Sequence, residues 1–134
     1  SEGLLSILAS SSLNPVLVIH ANHARELGPE AANALTALGA AGVTLLNQSV
    51  LLRGVNDSED ALAALSERLQ ECGVIPYYLH QLDRVAGAAH FAVPDVEATA
   101  LVRALHARLP GYLVPRLVRE EPGAPGKSGI DIAV

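Results

Sequence analysis

Apolar and amphipathic segments alternate along the chain. Four apolar runs have the length of buried strands: residues 15–20, 43–52, 74–80 and 112–119. Between them, leucines at helical spacing predict three helices, which begin near Pro29, at Asp57 or Ser58, and near Pro94. This order predicts an α/β fold with parallel strands joined by right-handed crossovers. A complete flavodoxin-like domain and a segment of a βα barrel fit the pattern equally well.

Composition narrows the functional classes. The 134 residues are 50% hydrophobic and 3% aromatic, with a net charge of −5 and scattered basic residues, which argues against nucleic-acid binding. The single cysteine, Cys72, excludes an internal disulfide and a self-contained cysteine-ligated metal or iron–sulfur site. No apolar run reaches the roughly 20 residues of a membrane span, and no signal peptide is visible. A cytoplasmic protein without a membrane partner is expected.

Polar residues cluster where each predicted strand ends. Because the carboxyl ends of parallel strands meet at one edge of the sheet, where ligands bind in such folds, we expect one site there. The residues at these four positions are His20, Asn22 and His23; Asn47, Gln48 and Asn56; His80, Gln81, Asp83 and His90; and Arg119, Glu120, Glu121 and Lys127.

Two of these clusters leave alternatives open. Asn47 and Gln48 interrupt an apolar strand, and adjacent strand residues point to opposite faces, so the buried amide either braces a loop or meets a ligand. His20 and His23 have the spacing of a metal pair, but hydrogen bonding to loops at a strand end is the more frequent role. We therefore assign no metal ligands.

Lys127 is the single lysine of the chain, within GAPGK, whereas the other eight basic residues are arginines. Lysine, unlike arginine, forms Schiff bases with aldehydes or pyridoxal phosphate (PLP). A solvated lysine on a Gly- and Pro-rich tail explains the residue equally simply. The segment lacks the glycine spacing of a nucleotide-binding P-loop.

Taken together, five segments resemble the lysine 2,3-aminomutase family of radical S-adenosylmethionine (SAM) enzymes. They are HANHARE at 20–26, LLNQSVLLRGVND at 45–57, PYYLHQLD at 76–83, GAAHF at 87–91 and GYLVPRLVREEPGAPGK at 111–127. The resemblance covers nearly the whole chain. The third and fifth segments look most like the branch that makes (R)-β-lysine for modification of elongation factor P, and the catabolic lysine 2,3-aminomutases are the near alternative.

The resemblance implies a fold and a set of functional residues. The fold is a partial (βα)6 radical SAM barrel, of which this chain would supply the later βα units (residues 1–119) and a C-terminal PLP-lysine segment (residues 120–134). Lys127 matches the PLP-binding lysine. Asp83 matches a carboxylate that binds the ε-ammonium of L-lysine, and Glu120 stands where the catabolic enzymes carry a second one, usually Asp. The residues in regions that line the SAM pocket are His20, Asn22 and Gln48.

One departure from the family is decisive for the interpretation. The CxxxCxxC motif that binds the [4Fe–4S] cluster is absent, so the resemblance implies a C-terminal fragment that is inactive without the N-terminal part of the same protein. Such a piece would expose strand edges and is expected to be marginally stable or to self-associate, for example as a homo-oligomer. The competing hypotheses are a non-catalytic ligand-binding α/β domain and a Schiff-base lyase or aldolase that uses Lys127 without a cluster.

Overall fold

The computed structural model describes residues 14–82 and 90–119. All three predicted helices and all four predicted strands are found there, in the predicted order. Short 3-10 turns lie at Ala24–Glu26 and Gly111–Leu113. The strands and helices are β1 (Val16–Ile19), α1 (Pro29–Ala40), β2 (Thr44–Leu51), α2 (Glu59–Glu71), β3 (Ile75–Gln81), α3 (Asp95–Arg108) and β4 (Arg116–Arg119).

The fourth strand is shorter than its apolar run predicted. Residues 112–115 do not join the sheet, because the chain first makes a 3-10 turn in which the Leu113 amide donates to the Pro110 carbonyl at 2.9 Å. Pro115, which follows, has no N–H to donate to a neighbouring strand. β4 therefore begins only at Arg116.

Local sequence explains the ends of the helices. Pro29 occupies the first turn of α1, where its missing N–H costs no helical bond. Of the two candidate residues, Ser58 caps α2, since its Oγ accepts from the Ala61 amide at 3.1 Å. After α1 and α2 the chain turns at Gly42 (φ 95°) and Gly73 (φ 78°), where a side chain would be strained.

The strand order decides between the two folds that the pattern allowed. All pairings are parallel, and the order is β1-β2-β3-β4. Because each right-handed crossover advances in the same direction, all three helices lie on one face of the sheet. A flavodoxin-like domain reverses direction and carries helices on both faces. The α/β prediction is confirmed, and the singly wound order is that of a barrel segment.

The two faces of the sheet differ in what covers them. In β2, Leu45, Asn47, Ser49 and Leu51 are buried beneath the helices, whereas Leu46, Gln48 and Val50 are half-buried on the opposite face, called here the open face. On the helix side, two hydrophobic clusters fill the space between the sheet and the helices. The fully buried side chains include Leu69 and Cys72 in the first cluster and Leu51, Leu79 and Leu105 in the second.

An irregularity between β2 and β3 sets which residues share the open face. Asn47 pairs with Pro76, but the next residue, Gln48, pairs with Tyr78, so Tyr77 is an extra residue in β3. Beyond this point Gln48 lies beside Tyr78, and Val50 lies beside His80. The bulge thereby places an imidazole next to the one amide that β2 presents on the open face.

Helix α3 is joined to the start of α2 at the surface. Arg108 Nη1 lies 2.6 Å from an oxygen of Asp60 and 3.3 Å from one of Glu59. The hydrogen bond that Arg108 donates to Asp60, followed by the one it donates to Glu59, raises the pKa of Arg108 above its ordinary value. These bonds join the end of α3 to the first turn of α2. Within residues 14–82 and 90–119, no helix has the length and apolar character needed to cross a membrane.

Candidate functional site

The carboxyl end of β1 is fixed by a side chain in place of a strand ladder. β1 ends at Ile19, whereas its neighbour β2 continues to Leu51. Asn47, 1% exposed, spans the gap: its Oδ1 accepts from the Ala21 amide at 2.8 Å, and its Nδ2 donates to the Ala21 carbonyl at 3.1 Å. Of the two roles open to the buried amide, loop bracing is the one that the structure shows for Asn47.

Two further asparagines continue this arrangement toward the end of β2. Asn22 Oδ1 accepts from the Val50 amide at 2.9 Å. Asn56 is fully buried; its Nδ2 donates to the carbonyls of Asn22 and Val50, both at 2.9 Å, and its Oδ1 accepts from the Leu52 amide at 2.8 Å. We call the side chains of Asn22, Asn47 and Asn56 the asparagine brace. It ties the loop after β1 to the end of β2.

The three residues predicted for the SAM region lie at this same end. His20 follows Ile19, the register partner of Asn47, so His20 and Gln48 are at the same level of neighbouring strands. Asn22 bonds to Val50, two residues after Gln48. His20 is exposed, and Asn22 and Gln48 are half-buried. The fold brings the three residues to the edge of the sheet where the carboxyl ends of the strands lie, called here the rim.

Gln48 and His80 form a polar pair on the open face. His80 Nε2 lies 3.2 Å from Gln48 Oε1; since a carbonyl oxygen can only accept, the imidazole donates from Nε2. The ring of Tyr78 meets His80 edge-on, with centroids 5.7 Å apart. Among the described residues, no partner takes the Nε2 hydrogens of Gln48, so this half-buried amide can donate to a ligand.

The ends of β3 and β4 are held together through the start of α3. The buried Gln81 Nε2 donates to the Val93 carbonyl at 2.9 Å and to Asp95 Oδ1 at 2.6 Å. The other oxygen of Asp95 accepts from Arg119. Because Gln81 and Arg119 are the last residues of neighbouring strands, Asp95 fixes the distance between the two strand ends.

The RGVND segment forms a turn with mainly structural contacts. Asp57 Oδ1 accepts from the Gly54 amide at 2.9 Å, and Gly54 has φ 81°. The Arg53 amide donates to the Phe91 carbonyl at 2.8 Å, and its guanidinium bonds to Glu97 at 3.1 Å. This turn and Asn56 together connect β2 to α3 and to the loop after β1.

Of the two histidines with the spacing of a metal pair, His23 bonds to the loop. His23 Nδ1 accepts from the Arg25 amide at 3.1 Å and so caps the 3-10 turn after β1, which is the loop-bonding role considered above. In the part of the chain that the structure describes, no group of three His, Cys, Asp or Glu side chains is placed to hold a metal ion.

Cys72 is fully buried in the core behind α2, away from the rim.

Four residues predicted for the site fall outside the described ranges: Asp83, Glu120, Glu121 and Lys127. The division at residue 119 and the assignment of residues 120–134 as a PLP-lysine segment likewise stay predictions. Sequence reasoning missed the linking role of Asp95. It also placed Asn56 and Gln81 at the rim without distinguishing them as structural. Their sequence neighbours gave no such signal, since Asn56 lies in the turn between Val55 and Asp57 and Gln81 follows His80.

Comparison with known proteins gives close relatives along almost the entire chain. It is 51% identical over 132 residues to "L-lysine 2,3-aminomutase" of Escherichia coli K12, covering 98% of this chain and 39% of that protein. The protein of that name from Haemophilus influenzae is 48% identical, with 96% and 38% covered, and that from Clostridium subterminale is 40% identical, with 83% and 27% covered. The chain thus spans about two fifths or less of the length of these relatives. No protein-family model matches it.

A solved structure supports the fold. A radical SAM methyltransferase from Sphaerobacter thermophilus superposes with a TM-score of 0.62 over 90% of this chain and 38% of its own, at 20% identity. At that identity the likeness shows only the arrangement of strands and helices, which agrees with the predicted radical SAM fold. From the sequence comparisons, the chain is related over nearly its whole length to the lysine 2,3-aminomutase family.

Proposed function

We propose that this chain is part of a radical SAM, PLP-dependent lysine 2,3-aminomutase, an isomerase that converts L-lysine to β-lysine. The observation that carries the proposal is the 51% identity over 98% of the chain to a protein of that name. The polar rim adds support, because a set of amides and imidazoles at the carboxyl ends of parallel strands suits a ligand that needs many hydrogen bonds.

SAM is the ligand that the described residues fit best. Its adenine, ribose, amino and carboxylate groups offer both donors and acceptors. Gln48 supplies N–H groups on the open face that no described residue accepts, and His20 and Asn22 lie at the same rim. We assign these three residues to SAM binding. When bound beside a reduced cluster, SAM would supply the radical that begins hydrogen transfer; this chain's residues would orient it and keep it apart from bulk water.

The cluster does not fit this chain. A [4Fe–4S] cluster of this kind requires several thiolates, whereas the sequence contains one cysteine, whose thiol is fully buried in the core. We therefore assign no cluster ligand here. In the proposal the cluster is held by another part of the full-length protein.

For PLP and the substrate, the assignments rest on the sequence motifs. Lys127 would bind PLP as a Schiff base, and Asp83 and Glu120 would accept hydrogen bonds from the ε-ammonium of lysine. Two carboxylates on one ammonium would select substrates by the length and charge of the side chain. Glu120 in place of Asp and the PYYLHQLD and YLVPRLVRE segments favour (R)-β-lysine made for elongation factor P.

The test uses the full-length protein, reconstituted without oxygen with iron, sulfide and PLP. With SAM, a strong reductant and L-lysine, we expect β-lysine, and chiral chromatography should identify the (R) enantiomer. Formation of the (S) enantiomer would favour the catabolic branch. No β-lysine from a protein with an intact cluster and bound PLP would refute the aminomutase assignment. Borohydride trapping of a carbonyl substrate on Lys127 without PLP would instead favour a Schiff-base lyase.

A further inference from the structure

Asn47 and Asn56 differ from the other polar residues of the rim because neither can contact a ligand. They are 1% and 0% exposed, and the amide atoms of both are taken up by main-chain groups. A direct binding role is therefore excluded for both side chains. What they control is the position of the segment that carries His20 and Asn22.

The geometry of the brace makes that control specific. Asn47 bonds both the N–H and the carbonyl of Ala21, so it fixes that residue's distance and orientation relative to β2. Asn56 then bonds the Asn22 carbonyl while Asn22 itself bonds Val50. Ala21 and Asn22, the two residues that follow His20, are thereby held by β2 and by the turn after it. Gln48, by contrast, lies within the β2 ladder and does not depend on the brace.

We propose that Asn47 and Asn56 are positioning residues that hold His20 and Asn22 in the geometry required for SAM binding. This inference rests on the proposed function. The inference adds that two buried side chains, which do not contact SAM, contribute to the affinity for SAM. Loss of the brace should weaken SAM binding while leaving the lysine subsite almost unchanged.

The critical variant is Asn56→Asp in the full-length protein. The carboxylate has nearly the same shape and can still accept from the Leu52 amide, but it cannot donate to the carbonyls of Asn22 and Val50 and instead repels them. We expect the Kd for SAM, measured by equilibrium dialysis with labelled SAM, to rise about 10-fold or more, the effect of losing one or two buried hydrogen bonds. The KM for lysine should change less than about 3-fold, because the residues proposed to bind lysine are not held by the brace.

Ser49→Ala is the matched control. Ser49 is equally buried in β2, but its Oγ donates to the Tyr78 carbonyl within the sheet, away from the loop after β1. Its loss should lower stability by about 1 kcal/mol and leave the Kd for SAM within about 2-fold of wild type, since additivity holds for independent sites. Equal weakening of SAM binding by both variants would overturn the inference, because general destabilisation would then explain the effect.

Two further measurements keep the inference falsifiable. In Asn56→Asp without SAM, amide hydrogen exchange of the peptide spanning residues 20–27 should accelerate relative to Ser49→Ala; unchanged exchange would contradict the brace. If Asn56→Asp does not fold, Asn47→Ser, which replaces the amide with a single hydroxyl, should show the same selectivity with a smaller rise in Kd. Normal SAM affinity in a folded brace variant refutes the inference alone, whereas a wild-type protein that binds no SAM refutes the proposed function with it.

Discussion

Replacing Asn47 by leucine tests how much stability one buried amide contributes. The two side chains have similar volumes, so the change leaves little cavity but removes both hydrogen bonds to Ala21, at 2.8 and 3.1 Å. Ala21 is only 5% exposed, so its N–H and carbonyl would lose their partners in a dry environment. Each unmet backbone group costs about 1–3 kcal/mol. Burying the leucine offsets about 1.5–3 kcal/mol of the total.

The expected net loss is about 1–3 kcal/mol in the free energy of unfolding, since the two unmet groups outweigh the apolar gain. Urea unfolding of the full-length protein, followed by far-ultraviolet circular dichroism, measures this difference. Asn33→Leu is the control, because Asn33 is exposed on α1 and the same chemical change there should alter stability by less than about 0.5 kcal/mol. A loss below about 1 kcal/mol for Asn47→Leu would show that water or local movement provides hydrogen-bond partners for the N–H and carbonyl of Ala21. That result would refute the bracing role of Asn47.

Three further predictions address the site and the fold. Gln48→Ala should raise the Kd for SAM about 10-fold, whereas Gln70→Ala, at an exposed glutamine of α2, should not change it. The full-length protein reconstituted with PLP should show visible absorbance that Lys127→Arg abolishes; its retention would remove Lys127 from the role. Gly73→Ala should lower the free energy of unfolding by about 1–2 kcal/mol, because its φ is 78°. Gly111→Ala is the control: Gly111 has no positive φ and open space around it, so the midpoint of thermal unfolding should barely change.

The strands and helices were predictable because each depends on local patterning. Apolar runs and leucine spacing predicted seven elements in the right order, and Ser58 and Gly73 marked the ends of α2. The start of β4 was not predictable from hydrophobicity, because Tyr112 and Leu113 are apolar whether they lie in a strand or in a 3-10 turn. The turn depends on a main-chain hydrogen bond from Leu113 to Pro110 that apolar character does not reveal.

The site was predictable in location and only partly in roles. Strand ends predicted the rim, since parallel strands bring their carboxyl ends together whatever their sequence. The distinction between bracing and binding amides needed the structure. Asn47 bonds a residue 26 positions away, and Asn56 bonds Asn22 34 positions away. The residues next to Asn47 and Asn56 in the sequence do not indicate such distant partners. Asn47 and Gln48 are adjacent, yet Asn47 is buried beneath the helices and Gln48 lies on the open face.

The open face sharpens what Gln48 can do. Helices α1–α3 cover the other side of the sheet, and apolar side chains such as Val16 and Ile75 on the open face are 57% and 46% exposed. In water, the free N–H groups of Gln48 cost nothing. If the full-length protein closes into a barrel, this face becomes the lumen, where an unmet amide costs about 1–3 kcal/mol. A ligand that accepts from the Gln48 amide, whose oxygen already accepts from His80, would remove that cost, which ties the affinity for that ligand to the closure of the barrel.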